Sequence, residues 1–472
     1  MGVITAIEQH PNADKLKVCK VDIGGEIKDI VCGGCNLEVN QRVAVALPGA
    51  FCRWHGEGEP VEIKKSKLRG VESYGMICAS TEIGLGELFP PKQEAEILDL
   101  RDFDVPAGTP IANALGLDDI ILEIDNKSMT NRPDLWGHYG IARELAALYD
   151  LPLKPFKPFV TDAPAIEQVR GEIEDANGCS RLVCSKVEGL SVKPSPFEMQ
   201  ARLWRVGQRP INALVDITNY VMMATGQPCH AYDADNINGH ITVRHAKNDE
   251  KLLLLNGKEL ALDPTDLVIS DNEGAVGLAG IMGGARDSIL PKTESVLLEI
   301  ANFNAKGIRR TALRYDNRTE ASSRYEKAID PERCDQAVSL AMELFAELYP
   351  ECKVTGFADN YAKKLQKATQ SRSYAVFHDQ VVEMRVSDGK SQLKDTVEFI
   401  SGSQSEMLLN MFKKGELQKC SDLVIVMDNY YDEKRFQFAD VMEMCRRNGV
   451  RVSIIYINTG DEYVDVVWSE SE

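Results

Sequence analysis

The chain's 472 residues include 54 Lys and Arg against 72 Asp and Glu, a formal net charge of −18, with 44% hydrophobic and 27% charged residues. Such a length suits about three domains of ordinary size, each able to bury a core. The acidic balance excludes nucleic-acid binding by bulk electrostatics, because neutralising phosphates takes clustered Lys and Arg.

No run approaches the ~18–20 apolar residues of a membrane span, and Met1-Gly2-Val3-Ile4-Thr5 has no basic region leading into a long apolar one. No membrane partner is expected. Twelve cysteines, scattered from Cys19 to Cys445 without a framework of paired spacings, suit free thiols in a reducing cytoplasm.

Residues 1–113 set short apolar runs around Val18, at Ile30-Val31 and over 43–47 between glycine, asparagine and proline turns, the pattern of a small β-barrel. Within it, Lys64-Lys65-Ser66-Lys67-Leu68-Arg69 is a local basic patch of the kind an RNA contact needs; the plainer reading is a solvated strand and turn. Cys32-Gly33-Gly34-Cys35 has the spacing of a zinc half-site or a redox pair. No second pair follows at zinc-finger spacing and no thioredoxin-like order of strands and helices surrounds it, so it reads as two structural thiols and no metal site is expected.

In the connecting piece, 114–177, residues 120–124 read as a strand and 139–149 as a helix with Ile141, Leu145 and Leu148 on one face. Between them Thr130-Asn131-Arg132-Pro133-Asp134 reads as architecture: Pro133 fixes the turn, Asp134 caps the following segment and Arg132 bridges carbonyls.

Residues 178–361 mix strand-like runs (183–187, 241–244, 252–255, 267–270, 296–300) with helical ones (196–206, 335–348), an α+β domain around a mostly β core. From 366 to 472 a small α/β domain is expected, with 423–427 and 450–457 as parallel strands joined by a helix over 435–448. Asp428 and Asp432 follow the first of these strands, where α/β sheets bind ligands and where turns are capped.

Three stretches of the middle domain hold more polar and glycine positions than a core needs. The first runs from Arg209-Pro210-Ile211-Asn212 through Val215-Asp216-Ile217-Thr218-Asn219-Tyr220 to Gly226-Gln227-Pro228-Cys229-His230-Ala231-Tyr232-Asp233. The second, Ala279-Gly280-Ile281-Met282-Gly283-Gly284, is a loop whose backbone N–H groups can approach a ligand closely. The third, Leu297-Leu298-Glu299-Ile300-Ala301, sets one carboxylate inside an apolar strand.

In this order they resemble the editing module of the β subunit of bacterial phenylalanyl-tRNA synthetase. The resemblance extends to Thr319-Glu320-Ala321-Ser322-Ser323-Arg324-Tyr325-Glu326-Lys327 and back to Met129-Thr130-Asn131-Arg132-Pro133-Asp134-Leu135-Trp136-Gly137. His10-Pro11-Asn12-Ala13-Asp14-Lys15-Leu16, Ala46-Leu47-Pro48-Gly49-Ala50 and Leu68-Arg69-Gly70-Val71-Glu72-Ser73-Tyr74-Gly75-Met76 look like that family's OB-fold tRNA-binding module.

The resemblance implies a multidomain α+β protein: an N-terminal OB-fold β-barrel over 1–113, a central α+β editing domain over 178–361, and an α/β tail over 366–472 unlike the family's. The family's barrel is preceded by a short segment that packs on residues following it, and this chain starts almost at the barrel. Residues 114–177 are therefore expected to lack a packing partner.

An apolar pocket rejects an added hydroxyl only weakly, by about a hundredfold, whereas a second site that hydrogen-bonds the hydroxyl reverses the selectivity. By resemblance Glu299 reads the hydroxyl of a tyrosine esterified to the tRNA for phenylalanine, helped by the small Ala279 and Gly280. Thr218, Asn219 and His230 surround the ester and its water, with Arg209, Asp216 and Gln227 as braces, and Lys64, Lys65, Lys67 and Arg69 meet tRNA. The implied partners are tRNA and a synthetase α subunit, where ATP and Mg²⁺ are expected; no cofactor is expected in this chain.

Three alternatives stand beside this. Glu299 could be a buried ion pair with an arginine, His230 could be structural while a ribose hydroxyl assists hydrolysis, and the whole could be a non-catalytic tRNA-binding or regulatory protein with a new C-terminal partner.

Overall fold

In the computed structural model the described residues are 1–124, 129–130 and 132–362, together with the backbone of five strands between 372 and 457. The chain divides into two compact units, Met1–Lys363 and Lys364–Glu472.

In the first unit, β1 (Gly2–Gln9), β2 (Lys17–Asp22), β3 (Ile27–Cys32) and β4 (Arg42–Val43) form an antiparallel sheet ordered β3-β2-β1-β4. Alternate residues Ile4, Cys19, Val21, Ile30 and Val43 turn into one core. Short strands follow: β5 (Val45–Ala46), β6 (Phe51–Cys52), β7 (Val61–Glu62), β8 (Ser66–Leu68), β9 (Val71–Ser73) and β10 (Met76–Ile77). They pair as β5–β10, β6–β7 and β8–β9. Cys32 is buried and Cys35 exposed, and both are free thiols. A single helical turn, α1 (Ile111–Ala114), closes this region.

The connecting piece departs from expectation. Residues 120–124 form no strand, and Ile120, Ile121, Leu122 and Ile124 are exposed; β-propensity without a neighbouring edge or an opposing face does not hold a strand. The expected helix is α2 (His138–Leu148), yet Leu145 and Leu148 on its apolar face are exposed.

Among the described residues Arg132 bridges no carbonyl and Asp134 caps no helix. Arg132 instead reaches Asp134 and Glu144, and Arg143 also pairs with Asp134, because a charged fork finds a better partner in a carboxylate than in a neutral carbonyl. Asn131 lies outside the described residues. The piece does have packing partners: Phe159 meets the Phe357 ring at 5.5 Å, and its N–H donates to Ser339 Oγ at 3.1 Å.

The middle of the unit is layered. Strands β11 (Glu172–Ile173), β12 (Cys179–Glu188), β13 (His230–Asp233), β14 (Thr242–His245), β15 (Lys251–Leu253), β16 (Glu259–Ala261), β17 (Leu267–Ser270), β18 (Ala275–Leu278), β19 (Met282–Gly283), β20 (Ser295–Phe303) and β21 (Lys353–Tyr361) supply its sheets. One is antiparallel, β13-β20-β12-β21; the second is ordered β11-β14-β17-β18-β19, and β15 and β16 form a separate antiparallel pair.

Helices α3 (Phe197–Arg205), α4 (Ala213–Thr225), α5 (Ala305–Arg314), α6 (Glu320–Tyr325) and α7 (Arg333–Leu348) complete it. All nine residues of β20 are buried. Its even-numbered Val296, Leu298 and Ile300 share a core with Ile217 and Val221 of α4 and Ala341 and Phe345 of α7. Leu297, Ala301 and Phe303 share the opposite core with Val268, Val276 and Leu278 of the second sheet. A strand covered on both faces reads as a continuous apolar run, which is why 296–300 was legible without alternation.

The second unit holds a five-stranded sheet ordered β24-β23-β22-β25-β26, from β22 (Arg372–Phe377), β23 (Gln380–Ser387), β24 (Lys390–Val397), β25 (Cys420–Asp428) and β26 (Arg451–Ile457). β25 and β26 run parallel, as expected; β22–β24 form an antiparallel run that was not expected. The helix expected over 435–448, Asp432 and the side chain of Asp428 lie outside the described residues.

Since every sheet of Met1–Lys363 closes within that unit, a chain ending at Lys363 should fold alone, tolerating the cut as independent domains do. Its unfolding midpoint by circular dichroism should match that of the corresponding transition in the full chain. An insoluble or non-cooperative product would show that the tail completes the unit.

Candidate active site

The predicted polar residues come from four elements. Asn212 caps α4 through its side-chain oxygen, which accepts from the N–H groups of Leu214 and Val215, and this sets Thr218 and Asn219 one to two turns further on. Thr218 is buried and its hydroxyl donates to the Val215 carbonyl at 2.7 Å, so it has only lone pairs left to offer. Asn219 is half-buried, and its side chain makes no hydrogen bond among the described residues. The thiol of Cys229 reaches the Thr218 carbonyl at 3.6 Å, which ties α4 to the start of β13.

On β13, His230 stands opposite Glu299 of β20, and Tyr232 stands opposite Leu297. All four therefore face the same side of the sheet. The Tyr232 hydroxyl donates diagonally to Glu299 Oε2 at 2.8 Å. Among the described residues no arginine pairs with Glu299, and Tyr232 is its one hydrogen-bond partner. Burial pushes Glu299 up to about 7 against the lesser, opposing pull of the Tyr232 hydrogen bond. Burial also takes His230 down to about 4, and its ring meets that of Tyr232 edge-on at 4.5 Å.

The glycine loop fits around these groups. A Cβ at Gly283 would lie 2.6 Å from the His230 ring, and Gly280, at φ +65°, would place one 2.9 Å from Tyr325. Both positions thus exclude a side chain, the second also for backbone reasons. Ala279 is buried in the core and Gly280 half-buried. The loop is fastened from outside by Thr319, whose hydroxyl donates to the Ile281 carbonyl at 2.9 Å and which forms a capping box with Ser322 at the start of α6.

Of the expected braces, Asp216 and Gln227 are buried and Arg209 is not. Asp216 accepts from the Ile211 N–H at 2.8 Å and from Ser195. Gln227 Nε2 donates to the carbonyls of Pro228 and Ala301, both at 2.9 Å, and its Oε1 is buried without a partner. Arg209 is exposed and makes no hydrogen bond or ion pair among the described residues.

Sequence reasoning gave no role to Tyr232 or Tyr325. Both were in view, but only strand register reveals that one meets Glu299 and that the other donates to the Ala301 carbonyl at 3.0 Å. Two recesses of about 350 and 310 Å³ are lined by residues such as Leu252, Gly284 and Arg286, and by Arg170 and Tyr361. The first touches the glycine loop at Gly284, but neither is lined by Thr218, Asn219, His230, Ala279, Gly280 or Glu299.

The basic patch lies apart in sequence, on the β8–β9 hairpin and the approach to it. Lys64 pairs with Glu62 at 3.3 Å and Lys65 with Glu72 at 3.0 Å, all four side chains being substantially exposed. Lys67 faces Glu72 across the ladder, and Arg69 occupies the turn at φ +45°. Two of the four cations are thus already offset by a carboxylate.

Residues 1–109 match a family described as a putative tRNA binding domain, and residues 178–350 match one described as the B3/4 domain. The chain is 40% identical over 377 residues to the phenylalanine–tRNA ligase beta subunit of Geobacter metallireducens, covering 78% of this chain and 45% of that one. The corresponding subunit of Anaeromyxobacter dehalogenans is 41% identical over 366 residues, 77% of this chain and 44% of the relative. The chain thus spans about half the length of the curated relatives it matches.

The two shifted groups give opposite pH dependences. Glu299 is raised from 4.5 to about 7, so its contribution to stability is full below about pH 4.5 and is lost as pH rises through 7. His230 is lowered from 6.5 to about 4, so its contribution is full above 6.5 and is lost as pH falls through 4. Replacing Glu299 by Gln removes only the first. The stability of Glu299→Gln relative to the parent chain should therefore improve between pH 5 and pH 8, by roughly 1–3 kcal/mol. A pH-independent difference in urea midpoints would show that Glu299 does not titrate in this range.

Proposed function

Because this chain is related over 78% of its length to the β subunits of bacterial phenylalanine–tRNA ligase, we propose that it binds tRNA and hydrolyses tyrosine wrongly esterified to the tRNA for phenylalanine. In this reading residues 1–113 form an OB-type barrel that meets the tRNA, and 178–361 form the editing domain. Ligation of phenylalanine, with its ATP and Mg²⁺, belongs to a complete synthetase containing an α subunit.

The observation that carries the reading is the chemistry of Glu299: a carboxylate buried in an apolar strand whose one hydrogen-bond partner among the described residues is a phenol. A carboxylate accepts strongly from a phenolic O–H. Phenylalanine in the same place would leave that acceptor facing a hydrocarbon, which is how a site built for a hydroxyl rejects the analogue lacking it.

Hydrolysis then needs water placed at the ester carbonyl. Water adds there, the bond from the carbonyl carbon to the ribose oxygen breaks, tyrosine leaves as its acid and the ribose oxygen takes up the water's other proton. His230 is neutral at pH 7, and a ring held near 4 is a weak base. Its part is therefore to orient the water; Thr218 and Asn219 stand on α4, which packs over the other face of β20, and no hydrogen bond joins them to His230 among the described residues.

A second reading, a tRNA-binding or regulatory protein without hydrolysis, is favoured by one observation: Tyr232 and Glu299 are both buried, with the hydroxyl-reading group already engaged. The purified chain incubated with tRNA carrying tyrosine separates the two, since a pure binder leaves the ester intact.

If Glu299 reads the hydroxyl, Glu299→Ala should lower kcat/KM for Tyr-tRNA by ten- to a hundredfold, the loss of one charge-assisted hydrogen bond of about 1.5–3 kcal/mol. Phe-tRNA should be hydrolysed no more slowly than before. Equal losses on both substrates would remove Glu299 from its role.

For the barrel, the pairing of Lys64 and Lys65 with glutamates makes Lys67 and Arg69 the cations free to release counterions. Lys67→Ala with Arg69→Ala should flatten the dependence of log K for tRNA on log salt by up to about two phosphate contacts. Lys64→Ala with Lys65→Ala should change it less, and the reverse order would mean that the glutamate pairs dissolve on binding.

A further inference from the structure

Glu299 has two carboxylate oxygens and one partner. Tyr232 takes Oε2 at 2.8 Å, while the other oxygen accepts no hydrogen bond among the described residues. The phenol that makes this contact cannot easily turn away. Its ring packs edge-on against His230 at 4.5 Å, its hydroxyl lies 3.4 Å from where a Cβ on Gly277 would stand, and only 2% of the residue is exposed. The carboxylate itself is flanked along β20 by Leu297 and Ala301 and across the sheet by Cys184, none of which can orient it.

We propose that Tyr232 is a positioning residue for the hydroxyl-reading site, pinning one oxygen of Glu299 so that the other stands as a fixed acceptor for the phenol of an incoming tyrosine. This rests on the reading of 178–361 as an editing domain. A carboxylate offers about four lone-pair sites and can accept from two phenols at once, so the internal tyrosine and the substrate's need not compete. Without Tyr232 the carboxylate is free to rotate about its last torsion, and its ionised form loses its one local donor.

His230 and Cys184 stand opposite Glu299 on the neighbouring strands, and the other titratable groups close enough to feel its charge are Cys179, Cys229 and Tyr325. Asp287 faces Tyr232 itself. None of these is a cation at neutral pH, and among the described residues none but Tyr232 donates to Glu299, so Tyr232 is the one group in place that favours the carboxylate.

The test uses the full chain and tRNA for phenylalanine charged with either tyrosine or phenylalanine, with deacylation measured from pH 6 to 9. Tyr232→Phe keeps the ring and removes only the donor. It should raise KM for Tyr-tRNA about tenfold with kcat changed by less than about twofold, the loss expected for one hydrogen bond to a charged group. Phe-tRNA hydrolysis should not change.

Discrimination needs ionised Glu299 and so grows as pH rises through its titration; in Tyr232→Phe the midpoint should move to higher pH. Equal losses on both substrates with an unmoved midpoint would make Tyr232 merely structural and overturn the proposal, as would an unchanged KM.

Should Tyr232→Phe fail to fold, 3-fluorotyrosine at position 232, a stronger donor of nearly the same shape, should move the midpoint downward. An unmoved midpoint there also overturns the proposal. A parent chain that leaves Tyr-tRNA intact would instead remove the editing reading and this inference with it, whereas an active parent with an unaffected Tyr232→Phe removes this inference alone.

Discussion

A carboxyl group inside an apolar strand must find a hydrogen-bond donor or give up its charge, and Glu299 does some of each. β20 is covered on one face by α4 and α7 and on the other by the second sheet, so nothing but another buried side chain can serve it. Register settles which one. The antiparallel pairing that sets His230 beside Glu299 also brings Tyr232 within reach diagonally, and a one-residue slip would turn both to the helical face. The remaining elements of the site are arranged around this strand pair.

The support is distributed along the chain in a way that accounts for the spread of the polar motifs. Thr319 holds the glycine loop through the Ile281 carbonyl. Arg324, five residues later on α6, donates to the Trp136 carbonyl at 3.0 Å, and His138 bonds the Met223 carbonyl near the end of α4 at 2.8 Å. The loop at 129–137, α4 and α6 are thus tied together by charged or polar side chains reaching backbone carbonyls, bonds that satisfy helix ends and loops that a buried environment would otherwise leave unpaired. A loop read from sequence as architecture is architecture, although through Trp136 and the Asp134 ion pairs rather than through the cap and the carbonyl bridge first expected.

Legibility followed physical locality. Runs with strong periodicity or continuous burial, such as 183–187, 267–270 and 296–300, could be read because one residue's burial is repeated by its neighbours. Residues 120–124 misled because a β-branched, apolar string carries no information on whether an edge awaits it, and Ile120 remains 82% exposed. The site residues were visible as residue types out of place, above all Glu299. Their relations were not: that Glu299 meets a tyrosine instead of an arginine, or that Gly283 makes room for an imidazole, depends on which strands pair and in which register. No local pattern encodes either.

The same desolvation acts on both titratable groups of the strand pair, and it acts in a direction that suits neutral chemistry. Burial makes Glu299 a weaker acid, at about 7, and His230 a weaker base, at about 4; an ion pair between them would have moved each the other way. At neutral pH the imidazole is uncharged and the carboxyl is poised between its two forms, with a phenol rather than a cation as its companion. On the editing reading proposed above, a buried, nearly neutral surface with one acceptor would separate a ring that carries a hydroxyl from one that does not. Selectivity of that kind comes from leaving a buried group unsatisfied by the wrong ligand, and it requires Glu299 to be buried as deeply as it is.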